Sequence, residues 1–207
     1  MEEDEKMALL GLLVPADADT TGFGKREGGR RLTHAATTVD HVLDGFMHPV
    51  KDQGGCGSCW AFAANTALEG TIAKKTNSAA VRLSEQQLVD CTLRQNSFNQ
   101  NLFGKDYGLW GCGGGWMDTA WLFQEEQGYM LDSDYPYVSR TTRTETQCAH
   151  DPSKVVGNAN GYRRIRDVAT MKTVVQAQPV SIALDAGQAA FQYYRSGVVV
   201  MADNCGT

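Results

Sequence analysis

Apolar residues recur at helical spacing in three places along the middle of the chain. Over residues 58–74, Trp60, Ala63, Ala64, Ala67 and Leu68 fall on one face, and Lys74 and Lys75 suit the negative end of the helix dipole. Residues 83–90 make a second helix, opened by Ser84 with Gln87 three positions on, the pattern of a capping box. Residues 116–127 make a third, closed by Gly128 just past its end. Ahead of them, the ring of Pro49 keeps His48 out of helical space, so residues 48–55 read as an extended arm that then turns. After about residue 135 the texture changes. Tyr135-Pro136-Tyr137 and residues 155–166 read as turns and strands, and residues 167–176 as a short helix ended by Pro179. Val180-Ser181-Ile182-Ala183-Leu184 alternates as a half-buried strand, and residues 191–194 and 197–201 add a turn and another strand. Residues 92–110, rich in Asn and Gln and without period, read as a surface loop. Helices in the middle and strands at the end predict an α+β chain of two packed halves with a cleft between them.

The first 38 residues differ from the rest. Residues 1–14 read as a short acidic helix with an apolar end, and residues 15–31 as a connector rich in Gly, Thr and charge. Such exposed backbone is open to proteolysis, and a plain surface loop is an equal reading. The apolar residues 8–14 follow Glu2, Glu3, Asp4 and Glu5, where a signal peptide carries positive charge. No apolar stretch approaches the roughly 18 residues of a membrane helix. With 42% hydrophobic and 21% charged residues, the chain is neither a disordered tail nor a fibre. Nineteen basic against twenty-four acidic side chains, net −5, argue against a nucleic-acid or anionic-membrane partner.

The densest chemistry lies in Gln53-Gly54-Gly55-Cys56-Gly57-Ser58-Cys59-Trp60-Ala61-Phe62. A Cys-x-x-Cys pair also occurs in redox proteins, but those want a preceding βαβ pattern that is missing here. A zinc site wants a second Cys or His pair at ligand spacing, and none follows. A disulfide between such near neighbours is awkward across one helical turn. Cys59 opens an apolar helix, where free N–H groups and the dipole stabilise an anion, and the thiolate is a thiol's reactive form. Gln53, across a Gly-rich turn, is a donor that can face the same atom; with the Cys59 N–H it would form an oxyanion hole.

These residues resemble the active-site strand, turn and helix of the papain family of cysteine peptidases, on its cathepsin L-like side. The likeness continues through Leu83-Ser84-Glu85-Gln86-Gln87-Leu88-Val89-Asp90-Cys91, Gly111-Cys112-Gly113-Gly114-Gly115-Trp116-Met117-Asp118, Tyr135-Pro136-Tyr137 and Gln178-Pro179-Val180-Ser181-Ile182-Ala183-Leu184, and runs from about residue 39 to the last. The resemblance implies a papain-like α+β fold, a helical half beside a β-barrel-like half, with residues 36–150 forming the first and 151–207 an incomplete second. Residues 1–35 are similar to the tail of the family's inhibitory prosegment and its activation linker. It implies Cys59 as nucleophile and Gln53 as oxyanion donor. Gly114 and Gly115 would lie along substrate backbone, where missing side chains permit close approach. Met117 and Ala183 would line the pocket for the residue two before the scissile bond. The family pattern pairs Cys56 with Cys112 and Cys91 with Cys148, leaving Cys205 without a partner. The departures are Gly113 where the family usually has Asn, His41 where it has Trp, and a longer interval between Cys91 and Cys112. The family implies protein or peptide substrates, the chain's own prosegment and cystatin-like inhibitors as partners, no metal or cofactor, and a lysosome-like or secreted location that disulfides suit.

The family's catalytic His lies roughly 130–150 residues after the nucleophile. The four histidines are His34, His41, His48 and His150, and residues 189–207 hold none. The expectation is therefore that the sequence stops short of the catalytic His and Asn, and that this 207-residue chain is inactive as a peptidase. A non-catalytic, peptide-binding paralogue or decoy is the alternative; an intact Cys59 and Gln53 favour the peptidase.

Overall fold

Helix α1 (Cys59–Thr76) is enclosed on nearly every side, with Trp60, Ala61, Ala64, Ala67, Leu68, Gly70 and Ala73 all buried. Its small residues let neighbours approach closely: a Cβ on Gly70 would sit 2.5 Å from the ring of Pro179 and 3.1 Å from Met47. Asn77, at φ 52°, turns the chain out of the helix. The computed structural model describes residues 11–12, 39–93, 110–184, 191 and 193–195.

Helix α2 (Glu85–Cys91) starts as its sequence predicts, with Ser84 Oγ accepting the Gln87 N–H at 2.9 Å. The reciprocal half of a capping box does not form. Gln87 instead donates to the Gly128 carbonyl and accepts the Met130 N–H at 2.9 Å, while the Ser84 N–H goes to the Met130 carbonyl. Helix α3 (Met117–Gln127), closed by Gly128 at φ 78°, packs along α1. Two buried hydrogen bonds set their register: Trp121 Nε1 to the Ala64 carbonyl at 3.1 Å, and Gln124 Nε2 to Asn65 Oδ1 at 2.7 Å. Trp60, Leu68, Leu83, Leu88, Trp121, Phe123 and Met130 form the shared core. Each such side chain contributes about 1.5–3 kcal/mol on burial.

The strands are short. In chain order, β1 (Gly11–Leu12) pairs antiparallel with β4 (Arg163–Arg164), and β2 (Tyr129–Met130) with β3 (Val155–Gly157). Leu83 and Leu131 add one isolated antiparallel bridge. Helix α5 (Val168–Ala177) is capped by Asp167, whose carboxylate accepts the Thr170 N–H.

Two expectations are corrected. Residues 180–184 form no strand: Ser181 alone holds a bridge position, its hydroxyl donating to the Ala63 carbonyl at 2.7 Å, while Ile182 and Leu184 stay exposed. Within the segment read as an acidic helix, Gly11–Leu12 is a strand, because pairing with β4 satisfies backbone groups that so short a helix satisfies poorly. Ser139–Thr142, to which the sequence assigned no element, forms a one-turn helix, α4. It is held from outside: Gln86 Oε1 accepts the N–H groups of Val138 and Ser139 at 2.8 and 3.0 Å. The rest of the acidic segment, the connector, most of the 92–110 loop, the 197–201 strand and Cys205 lie outside the described residues.

Candidate active site

Cys59 is the first residue of α1 and is exposed, though Ser58 before it and Trp60 after it are almost wholly buried (0% and 2%). The chain joins Cys56 to Cys112 and Cys91 to Cys148, with S–S distances of 2.07 and 2.05 Å. Among the described residues Cys59 is thus the free cysteine. Ser58 occupies the N-cap position without capping through its side chain. Its carbonyl accepts the N–H groups of Ala61 and Phe62 at 2.9 and 3.2 Å, and its hydroxyl turns to Tyr137, 2.7 Å away. The Cys59 N–H has no partner among the described residues. A thiol beside an open amide at a helix start is placed where negative charge is favoured.

The arm that carries Gln53 is fastened to the core two residues earlier. Lys51 Nζ donates to Glu69 Oε1 on α1 and to Glu85 Oε1 on α2, each at 2.6 Å, and Glu69 Oε1 also accepts the Leu83 N–H. Burial, opposed by Lys51, pushes both carboxyls up, Glu85 to about 7. Gln53 is half-buried, with one N–H given to the Cys56 carbonyl at 2.8 Å; a primary amide has a second to give. The turn after it demands glycine. At Gly54, φ +64°, a Cβ would meet the backbone of Arg140 at 2.6 Å, and Asp52 Oδ1 accepts the Gly54 N–H.

The glycine-rich segment lies against the start of α1. It opens in a 3-10 turn, Gly111–Gly113. Gly57 donates to the Cys112 carbonyl at 2.9 Å and Trp60 Nε1 to the Gly111 carbonyl at 3.1 Å. These bonds, with the Cys56–Cys112 bridge, set the segment beside the nucleophile candidate. Gly114 takes φ 122°, ψ 173°, a region essentially restricted to glycine. Neither the N–H nor the carbonyl of Gly115 has a partner among the described residues, which leaves an edge for an extended peptide. Met117 is buried at the start of α3, and half-buried Ala183 packs against the same core cluster.

No histidine is hydrogen-bonded to Cys59 among the described residues. His41 donates from Nε2 to the Val175 carbonyl at 2.7 Å and accepts at Nδ1 from Lys74. Burial, with Arg82 and Lys51 nearby, holds the His48 imidazole below its ordinary value. His150 accepts from Gln87 at 3.0 Å, meets Phe123 edge-on and is likewise lowered by burial. His34 lies outside the described residues. Among those residues no group of three or more His, Cys, Asp and Glu is placed to hold a metal ion.

One residue of the site escaped the sequence reading. Tyr137 counted there as part of a turn, yet its hydroxyl joins Ser58 to the Gln53 carbonyl, which it reaches at 3.0 Å. Nothing local signals this, since 79 and 84 positions separate the partners.

Comparison with known proteins places residues 35–207 in the family described as papain family cysteine protease. Human cathepsin L2 is 40% identical over 171 residues, covering 80% of this chain and 46% of that protein. Mouse cathepsin K is 36% identical over 211 aligned positions, covering 98% of this chain and 56% of its own length. Digestive cysteine proteinase 2 of the lobster Homarus americanus is 36% identical over 180 residues, covering 85% and 49%. The chain therefore spans about half the length of the curated relatives it matches. Among solved structures, digestive procathepsin L 3 of the Tenebrio molitor larval midgut superposes with a TM-score of 0.52 at 32% identity, over 71% of this chain and 40% of that one.

Proposed function

Because the chain belongs to the papain family of cysteine proteases and is cathepsin L-like, we propose that it carries the nucleophilic half of a cysteine endopeptidase site. Cys59 attacks the carbonyl carbon of a peptide bond, and the Cys59 N–H with the Gln53 amide receives the oxygen as it gains charge. The observation that carries this reading is the exposed Cys59 between two buried neighbours, at a helix start whose cap side chain faces elsewhere. Gly114 and Gly115 line up substrate backbone, and Met117 with Ala183 bounds an apolar pocket for the residue two before the scissile bond. Residues 1–35 act as prosegment tail and linker, residues 36–150 as the helical half and residues 151–207 as part of the β half. Protein substrates, cystatin-like inhibitors and a lysosome-like or secreted location belong to the same reading.

Acyl transfer also needs a proton acceptor beside the thiol. His41 and His150 are bonded elsewhere and no described histidine is hydrogen-bonded to Cys59, so the 207-residue chain binds peptides, and reacts with peptidyl electrophiles at Cys59, without turning peptides over. The test is covalent labelling. A dipeptidyl halomethyl ketone with an apolar second residue should label Cys59 at least tenfold faster than the same ketone without its peptide. Equal rates would sink the reading.

A further inference from the structure

Two pieces of chain have to hold a fixed relation if Gln53 and the Cys59 N–H are to act on one oxygen. The turn between them contains Gly54, Gly55 and Gly57, three residues that confer backbone freedom rather than remove it. Cys56 is tied to Cys112 and Gly57 to the Cys112 carbonyl, but both bonds hold the turn to the glycine-rich segment, and the Lys51 ion pairs fasten the arm two residues before Gln53. Gln53 itself is held by its own amide on the Cys56 carbonyl and, at its backbone carbonyl, by the Tyr137 phenol. We infer that the Tyr137 hydroxyl is a positioning group for the proposed oxyanion site, spanning from the Gln53 carbonyl at 3.0 Å to Ser58 Oγ at 2.7 Å and so fixing Gln53 against Cys59. The inference rests on the reading of Cys59 and Gln53 given above.

The direction of these bonds follows from counting protons. A hydroxyl has one hydrogen to give. The Gln53 carbonyl can only accept, so Tyr137 donates to it and Ser58 donates to Tyr137. The Ser58 hydroxyl points to Tyr137 rather than along α1, and its side chain does not cap the helix. Tyr137 is itself held from two sides. Its ring meets Phe62, one turn into α1, edge-on at 4.9 Å and 88°, and the next two N–H groups end on the fully buried Gln86. Burial raises the phenol above its ordinary value, which keeps it a neutral donor around neutral pH. Tyr137 has no place against substrate in this scheme; it acts through Gln53.

The test uses the full chain and two probes. A dipeptidyl aldehyde adds reversibly to Cys59: the Sγ–C bond forms, the C=O π bond opens, and the thiol proton ends on the new oxygen, which sits where the oxyanion donors point. Its affinity is read from protection of Cys59 against iodoacetamide, and the alkylation rate without aldehyde reports the thiol alone. Tyr137→Phe should weaken the aldehyde about tenfold, while its iodoacetamide rate stays within twofold of the parent. Gln53→Ala should weaken the aldehyde at least as much, and the double variant should lose no more than Gln53→Ala. Losses that multiply in the double variant overturn the inference, because Tyr137 would then act independently of Gln53. If Gln53→Ala weakens the aldehyde and Tyr137→Phe does not, Tyr137 only shapes the fold and the inference falls while the reading of the site stands. If Gln53→Ala has no effect, the reading of Gln53 itself fails and the inference with it. Should Tyr137→Phe not fold by circular dichroism, Ser58→Ala cuts the other end of the bridge, and there a loss of several-fold supports the inference and an unchanged affinity overturns it.

Discussion

A Cβ built on Gly115 would lie 2.6 Å from the indole of Trp60, the residue that follows Cys59. The ring cannot retreat, being 2% exposed and hydrogen-bonded to the Gly111 carbonyl. Gly115→Ala should therefore destabilise the chain by about 1–3 kcal/mol, as overpacking does, and push the open peptide edge away from Cys59. Urea unfolding and dipeptidyl ketone labelling should fall together. Gly114→Ala offers a contrast. Nothing lies within 4 Å of its Cβ position, but φ 122° disfavours any side chain, at about 1–3 kcal/mol. A fully stable Gly115→Ala with parental labelling would contradict this packing.

The buried cluster of Lys51, Glu69 and Glu85 makes stability depend on pH. Two carboxyls share one ammonium, and burial raises Glu85 to about 7, above its ordinary 4.5. A carboxyl raised on folding favours the native state in acid. Its contribution is complete below about 4.5 and lost as pH rises through about 7, on the order of 1–3 kcal/mol. His48 and His150, both lowered, act in the opposite sense below 6.5. Subtracting the Glu85→Gln profile from the parent's removes their share. That difference, from urea midpoints between pH 4.5 and 8, should shrink with rising pH; a difference that grows would refute the assignment.

Each disulfide closes a long loop, with sequence separations of 56 and 57. The chain-entropy argument gives about 4 kcal/mol for each, with less for the second because the loops overlap. Reduction should lower the urea midpoint sharply. The two bridges should also differ. Replacing Cys91 and Cys148 by Ser should leave peptide-directed labelling of Cys59 largely intact in whatever fraction folds. Replacing Cys56 and Cys112 should abolish the peptide's advantage, because that bridge holds the glycine-rich segment at the helix start.

Purified chain should release no fluorophore from a Phe-Arg or Leu-Arg peptide amide over hours at pH 5.5 or 7.5. Release that alkylation of Cys59 abolishes would show that a base reaches the thiol after all.

Much of the helical half was legible because its signals are local. Trp60, Ala64, Ala67 and Leu68 repeat at one helical face, Ser84 sits before its helix, and Gly128 stands where α3 has to stop. What escaped depends on partners far along the chain. α4 forms because Gln86, 52 and 53 residues earlier, takes two of its N–H groups. The alternation of residues 180–184 looked like a strand, yet Ser181 turns its hydroxyl to Ala63 rather than joining a ladder. In the site, Cys59 and Gln53 were visible as residue types in a spacing. That Tyr137 joins their surroundings was not, since no periodicity encodes a contact across 84 positions.

The uncapped start of α1 has a thermodynamic corollary. A Ser, Asp or Asn side chain turned onto the first amides typically adds about 1 kcal/mol to a helix, and here that gain is forgone. A capping replacement at position 58 takes the second or third amide and leaves that of Cys59 alone, yet it draws on the same positive helix end that favours the thiolate. A screen for thermal tolerance alone would favour such a replacement and select, step by step, for a sturdier helix with a duller thiol.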